Sequence, residues 1–301
     1  MLTGVHFLIT YRCTYECDHC FLYSSPNSEG VFTLDKVKAA LHQMKGAGTV
    51  TSAYFEGGEP FLYYPLLVES VRMAKGMGFE AGIVTNGFWA VSEDDAVLWL
   101  KPFAEIGIDD LSISDDSFHN IDDKNNLSLN AVKAAKKLKI PTGSICIEAP
   151  KIVGSKKWGG QPVIGGDVLF KGRAVDKLAE GLPRQPYAIF NECPHEDLRN
   201  PSRVHLDPFG NLHICQGIVI GNIFEKPLKD IIDDYKPDND PIIGLLLHGG
   251  PAELARSFNF DISSGFIDYC HLCFEARRAI LDRYPEILAP KQVYGITTEE
   301  S

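Results

Sequence analysis

The sequence predicts an α/β protein, a partial (β/α)6 barrel with a small C-terminal domain. Short apolar stretches alternate with segments of helical periodicity through residues 1–180. Repeated strand-then-helix order gives parallel strands with helices outside. The polar and glycine-rich segments follow the strands, at the edge where such barrels gather their chemistry. The cysteines fall into two groups: Cys13, Cys17 and Cys20 crowd one short loop, whereas Cys193, Cys215, Cys270 and Cys273 come much later. The expected division is a barrel over 1–180, a second domain over 181–284, and a motif-free tail over 285–301 that is expected to be poorly ordered.

At 301 residues the chain is long enough to bury a large core. Its 29 basic and 40 acidic side chains give a net charge of -11, and no dense Lys/Arg run occurs. Nucleic acid is therefore not an expected partner, since phosphate binding needs a basic face. No apolar run approaches the ~20 residues of a membrane span, and no charged leader precedes an apolar stretch. A cytoplasmic protein with no membrane partner is expected. Clustered cysteines in a reducing compartment read as metal ligands rather than disulfides.

Taken in order, residues 5–10 form an apolar strand that runs into the cysteine loop. Leu34, Val37, Leu41 and Met44 then recur at helical spacing, with Thr33 as N-cap and Gly46 past the end. Residues 52–56 predict a strand and 65–77 a helix closed by Gly78. A third strand, 80–85, ends in Asn86-Gly87, and Ser92 caps a helix to about Pro102. A fourth strand spans 110–114, a helix 127–138, a fifth strand 142–148 and a sixth 168–173. On the fifth, Thr142, Ser144, Cys146 and Glu148 share one face. That polar face is expected to line a ligand-holding lumen, with Ile145 and Ile147 packed under helices. Cys146 lies outside both cysteine groups; it is either a hydrogen-atom donor to a substrate radical or a small core residue. Residues 151–166, with Trp158, read as a loop over the barrel mouth.

The C-x3-C-x2-C spacing of Cys13, Cys17 and Cys20 suits a 4Fe-4S cluster, leaving one iron without a protein ligand. A zinc site or buried free thiols are the alternatives. This loop, with His19 before its third cysteine, and Phe55-Glu56-Gly57-Gly58-Glu59-Pro60 resemble the signature motifs of the radical S-adenosylmethionine (radical SAM) superfamily. The resemblance implies that Cys13, Cys17 and Cys20 hold a 4Fe-4S cluster whose open iron binds S-adenosylmethionine (SAM). It further implies reductive cleavage of SAM to a 5'-deoxyadenosyl radical, which takes a hydrogen atom from the substrate. An electron donor such as flavodoxin or ferredoxin is implied as a partner. Gly57, Gly58 and Pro60 belong to the implied SAM-binding loop, and Glu59 is placed to accept from the SAM amine, unless it caps a turn. Asn86 and Ser114 or Asp115 offer polar groups for ribose and carboxylate.

The four later cysteines complete the coordination of a cluster or a zinc ion. The turn 207–211 ahead of Cys215, and Gly221-Asn222-Ile223, resemble the auxiliary-cluster extension called SPASM, or its shortened twitch form. Full SPASM extensions carry more cysteines, so the four here imply one auxiliary 4Fe-4S cluster. Phe170-Lys171-Gly172-Arg173-Ala174 resembles a Gly-Arg-Ala element of family members with extra clusters. Among branches, the motifs resemble enzymes that modify ribosomally made peptides, including epimerases. Gln216 departs from the epimerases, which carry a cysteine there. The expected substrate is a peptide, or a small molecule in a radical dehydrogenase or cofactor-biosynthesis enzyme; the reading from another class is an iron-sulfur electron carrier or zinc-stabilised binding protein.

Overall fold

The computed structural model describes residues 1–119, 126–154 and 162–296. Four strand-helix steps and a fifth strand lead the chain: β1 (Gly4–Thr10), α1 (Leu34–Ala47), β2 (Ser52–Gly57), α2 (Tyr64–Gly76), β3 (Glu80–Thr85), α3 (Glu93–Ile106), β4 (Asp110–Ser114), α4 (Leu127–Lys137) and β5 (Thr142–Ile145). The helices start where capping chemistry dictates. Thr33, Ser92 and Asn126 each accept a backbone N–H of the following turn, satisfying a donor that the helix leaves free. α1 runs through Gly46 and stops at Gly48, whose left-handed backbone (φ 76°) ends it. α3 passes Pro102 and ends only at Gly107.

The sheet order is β10-β9-β8-β1-β2-β3-β4-β5. β1 to β5 are parallel in sequence order, as expected. The sixth parallel strand is β8 (Arg203–Leu206), which pairs with the free edge of β1, not with β5. Antiparallel β9 (Asn211–Cys215) and β10 (Ile218–Asn222) extend the sheet beyond it. The sixth strand expected at 168–173 does not form, because Gly172 turns to φ 62° and opens the short helix α5 (Arg173–Lys177). In the stretch expected to be a loop, the described flanks pair as the hairpin β6 (Lys151–Gly154) and β7 (Pro162–Gly165). Trp158 lies outside the described residues.

Val5, Phe7 and Ile9 of β1 face α1 to α4 in one apolar core, while Leu8, on the opposite face, joins a second core. That second core takes in Tyr11, Leu22 and Phe170 together with residues of α7 (Ile243–Ser257) and α8 (Tyr269–Arg278), which follow α6 (Leu228–Asp233). The boundary expected near residue 180 is therefore no gap in the packing: β8 to β10 and the second core are continuous with the first half. The stretch expected to be a poorly ordered tail also packs as far as it is described, with Val293 and Tyr294 each 1% exposed. Tyr294 stacks on Phe274 and donates to the Gly217 carbonyl at 2.7 Å. Tyr294→Ala is expected to cost about 3–5 kcal/mol, read as a lowered denaturant midpoint.

Candidate active site

β1 delivers the chain directly into the cysteine loop, and neighbouring elements fix that loop through its backbone and sulfurs. Cys13 Sγ accepts the Tyr15 N–H at 3.4 Å and the Asn86 side-chain amide at 3.5 Å; Cys20 Sγ accepts the Ser24 N–H at 3.4 Å. Arg173 closes the loop from the other side. Its buried guanidinium donates to the carbonyls of Cys17 (2.9 Å), Tyr23 (3.0 Å) and Ser24 (2.7 Å), and its own N–H donates to Cys20 O at 2.9 Å. Gly172 has to be glycine there, since a Cβ would meet Cys20 O at 2.5 Å. Burial pushes the Cys13 and Cys17 thiols up to about 12, and their negative neighbours add to the shift. Thiolates are strongly disfavoured in such a place unless a cation accompanies them, which suits iron or another thiophilic metal.

The loop forms part of the wall of a cavity of about 820 Å³ that runs along one face of the parallel strands to their C-terminal ends. Of the residues expected to contact SAM, Gly57, Gly58, Asn86 and Ser114 line it. The two glycines let the end of β2 press against the cysteine loop: a Cβ on Gly57 would meet Thr10 O at 2.3 Å, and one on Gly58 would meet Arg12 O at 2.2 Å.

Glu59 does not line the cavity. Fully buried, it accepts from Phe61 N–H (3.0 Å), the Thr85 hydroxyl (2.9 Å) and Asn86 N–H (2.8 Å), so it ties the β2 loop to the end of β3 as a turn-capping carboxylate. Pro60 is likewise buried, opening the turn that Glu59 caps. Asp115 points to α4, where its Oδ1 accepts from Ser128 at 2.6 Å. Asp116 takes the cavity position instead and accepts from Phe118 N–H at 3.0 Å, with His119 Nδ1 at 2.8 Å. Burial pushes its carboxyl up, but the His119 contact, the nearby His19 ring and the Ile147 N–H together outweigh burial and hold it below the usual range. His19 lies against Phe118 and His119, and burial lowers its imidazole to about 4.

Cys146 is exposed and outside the cavity. At β5 and just beyond it the side chains are placed opposite to expectation: Ile145, itself partly open to solvent, and Ile147 line the cavity, while Ser144, Cys146 and Glu148 are exposed outside it. β5 is the edge strand of the sheet, with α4 packed against both it and β4.

Cys193, Cys215, Cys270 and Cys273 converge on a second, small cavity, about 30 Å³, beside Lys171 and Arg277. Cys215 ends β9, and Cys270 and Cys273 fall in the first two turns of α8, which Asp268 caps. Burial raises Cys273 to about 11 and drives Cys270 up as well. Two buried cations answer these sulfurs: Lys171 Nζ lies 3.9 Å from Cys215 Sγ, and Arg277 donates to Cys273 O at 3.2 Å and Gln216 O at 3.0 Å. The sequence marked the cysteines but gave no sign of Arg277; Lys171 appeared in it only as a member of the 170–174 stretch.

Six parallel strands extended by an antiparallel hairpin thus carry a clamped three-cysteine loop at the end of β1. Residues 7–150 match the family model of the radical SAM superfamily, and the chain carries a radical SAM domain, which implies a 4Fe-4S cluster and SAM. The solved structure of BtrN in complex with AdoMet and 2-DOIA shares the fold, with TM-score 0.50 and 16% identity over 77% of this chain and 82% of that one. The putative peptide biosynthesis protein YydG of Bacillus subtilis (strain 168) is 29% identical over 108 residues, 36% of this chain and 34% of that protein. An S-adenosylmethionine-dependent nucleotide dehydratase of Psychrobacter lutiphocae is 28% identical over 165 residues, 49% of this chain and 52% of that protein. The chain thus spans between a third and about half the length of these curated relatives. Among the described residues, no helix is long and apolar enough to cross a membrane.

Glu59 yields a pH test. Burial raises its pKa from 4.5 to about 7, so between those values the folded state holds more protons than the unfolded state. Its contribution to stability therefore declines as pH rises through that window, by up to about 1.4 kcal/mol per unit. Glu59→Gln removes this slope and lowers stability by about 1–3 kcal/mol, because buried donors face an amide. Urea midpoints at about pH 5 and about pH 7.5 are expected to lie closer together in the variant.

Proposed function

We propose that this chain is a radical SAM enzyme acting on a peptide, with Cys13, Cys17 and Cys20 as ligands of the SAM-binding 4Fe-4S cluster. The observation that carries the reading is the cysteine loop itself, held by Arg173 and Asn86 with its sulfurs at the wall of an 820 Å³ cavity. When bound, the cluster supplies the electron that cleaves the SAM sulfonium, releasing the 5'-deoxyadenosyl radical that takes hydrogen from substrate. The chain's own residues position and enclose. Gly57 and Gly58 let backbone approach the methionine end of SAM, and Asn86 and Ser114 present polar groups to it. Ile145 and Ile147 supply apolar wall, which keeps water from the reacting atoms.

Cys193, Cys215, Cys270 and Cys273 are assigned to one auxiliary 4Fe-4S cluster, with Lys171 and Arg277 offsetting thiolate charge. YydG's description as a peptide biosynthesis protein supports the peptide reading. A small phosphorylated substrate is the second reading, favoured by Lys171 and Arg203 in the cavity wall and by the dehydratase relatives.

Anaerobic reconstitution tests both metal assignments. The wild type is expected to hold about eight irons, and Cys17→Ala or Cys270→Ala about four. Cys17→Ala is expected to abolish formation of 5'-deoxyadenosine from SAM and a strong reductant, while Cys270→Ala retains it. Formation of 5'-deoxyadenosine by Cys17→Ala would contradict the cluster assignment, and about four irons with bound zinc in the wild type would contradict the second cluster.

A further inference from the structure

Three adjacent parallel strands bring His6, Glu56 and His205 together on the cavity face of the sheet. His6 of β1 is in register with His205 of β8 and with Tyr54 of β2, and Glu56 lies two residues beyond Tyr54 on the same face. The sheet spacing therefore forces these side chains to share one place. Glu56 Oε2 is 3.3 Å from His6 Nδ1, Glu56 Oε1 is 3.0 Å from His205 Nε2, and the three donor atoms all lie within 4.8 Å of one another. The His6 ring is held by stacking on Tyr54, with centroids 4.8 Å apart and planes 11° from parallel.

We propose that His6, Glu56 and His205 form a mononuclear site for a first-row divalent metal ion, with its open coordination facing the cavity. Two imidazoles and a carboxylate with open positions are a donor set for such ions. Metal–ligand bonds of about 2.1 Å in tetrahedral array put donors roughly 3.4 Å apart, close to the two separations found here. Although both imidazoles lie against the Glu56 carboxylate, His6 Nδ1 and Glu56 Oε1 are buried and complete no hydrogen bond of good geometry. An ion at the shared point uses both. Gln216 braces His205, its amide nitrogen 3.2 Å and 3.3 Å from the two ring nitrogens, and Lys171 donates to the Gln216 carbonyl at 3.1 Å. Glu56 immediately precedes Gly57-Gly58, so the ion sits beside the proposed SAM loop. It would take an oxygen donor of the substrate, a carboxylate, carbonyl or hydroxyl, as a further ligand.

Cluster-loaded protein is dialysed anaerobically against Mn2+ and, separately, Zn2+, and bound metal, iron and sulfide are counted. Mn2+ prefers nitrogen and oxygen donors, so the cysteine sites do not compete for it. About one ion per chain is expected in addition to the iron, bound at least ~10-fold more weakly by Glu56→Gln and by His205→Gln. Low-temperature EPR of the Mn2+ form is expected to show coupling to imidazole nitrogen. Equal binding by wild type and both variants, or no binding by the wild type, overturns the proposal, as does zinc that is lost with Cys270→Ser but kept by His205→Gln. If either variant fails to hold its clusters, His6→Gln replaces it. Because 5'-deoxyadenosine is measured on the same samples, a failure of the radical chemistry is distinguished from a failure of this site.

Discussion

Arg173 is the residue on which the geometry of this protein depends. Three thiols in an eight-residue loop repel as thiolates, and nothing in a short coil forces them to face one point. The guanidinium supplies that force by gathering the carbonyls of Cys17, Tyr23 and Ser24 in a buried place. Hydrogen bonds from a charged donor contribute about 1.5–3 kcal/mol each, and the planar fork spreads them from the middle of the loop to the residues just past its third cysteine. The position is available only because residues 168–173 do not continue the parallel sheet. Gly172 turns the chain against Cys20, and the sixth parallel strand comes from β8 on the other side of β1.

The same rearrangement couples the two cysteine sites. Placing β8 beside β1 puts His205 into the large cavity, and the hairpin that follows carries Cys215 and Gln216 back toward Lys171. Lys171 lines both cavities, donating to Gln216 on one side and approaching Cys215 on the other. A polar path, Glu56 to His205 to Gln216 to Lys171 to Cys215, thus joins the wall of the large cavity to the four later cysteines. The second cluster's other cation, Arg277, is held by Tyr294, so the end of the described chain is part of that wall.

Much of this was legible in the sequence. The capping residues Thr33 and Ser92, the strand-helix alternation and the two cysteine groupings each express local chemistry, and local chemistry survives folding. What was not legible depended on contacts between distant segments. The pairing of β5 with β4 sets which of its faces turns to the cavity, so the alternation at 142–148 pointed Cys146 the wrong way. Asp115 and Asp116 are adjacent carboxylates, and only the position of α4 decides which one turns into the cavity. Glu59 looked like a ligand for a cation because a motif placed it at a loop; three donors from β3 and its own turn claim it instead. His6, Glu56 and His205 are 50 and 149 residues apart along the chain and meet only through strand register.

The central claim is that the Arg173 clamp, and not the cysteine spacing alone, makes the first loop a cluster site. Anaerobically reconstituted Arg173→Ala, with every cysteine intact, tests it by iron and sulfide count together with the EPR response of the reduced protein to SAM. The clamp account predicts about four irons in place of about eight and no change in the reduced spectrum on adding SAM. Full iron loading with a SAM-dependent spectral shift equal to that of the wild type would contradict it.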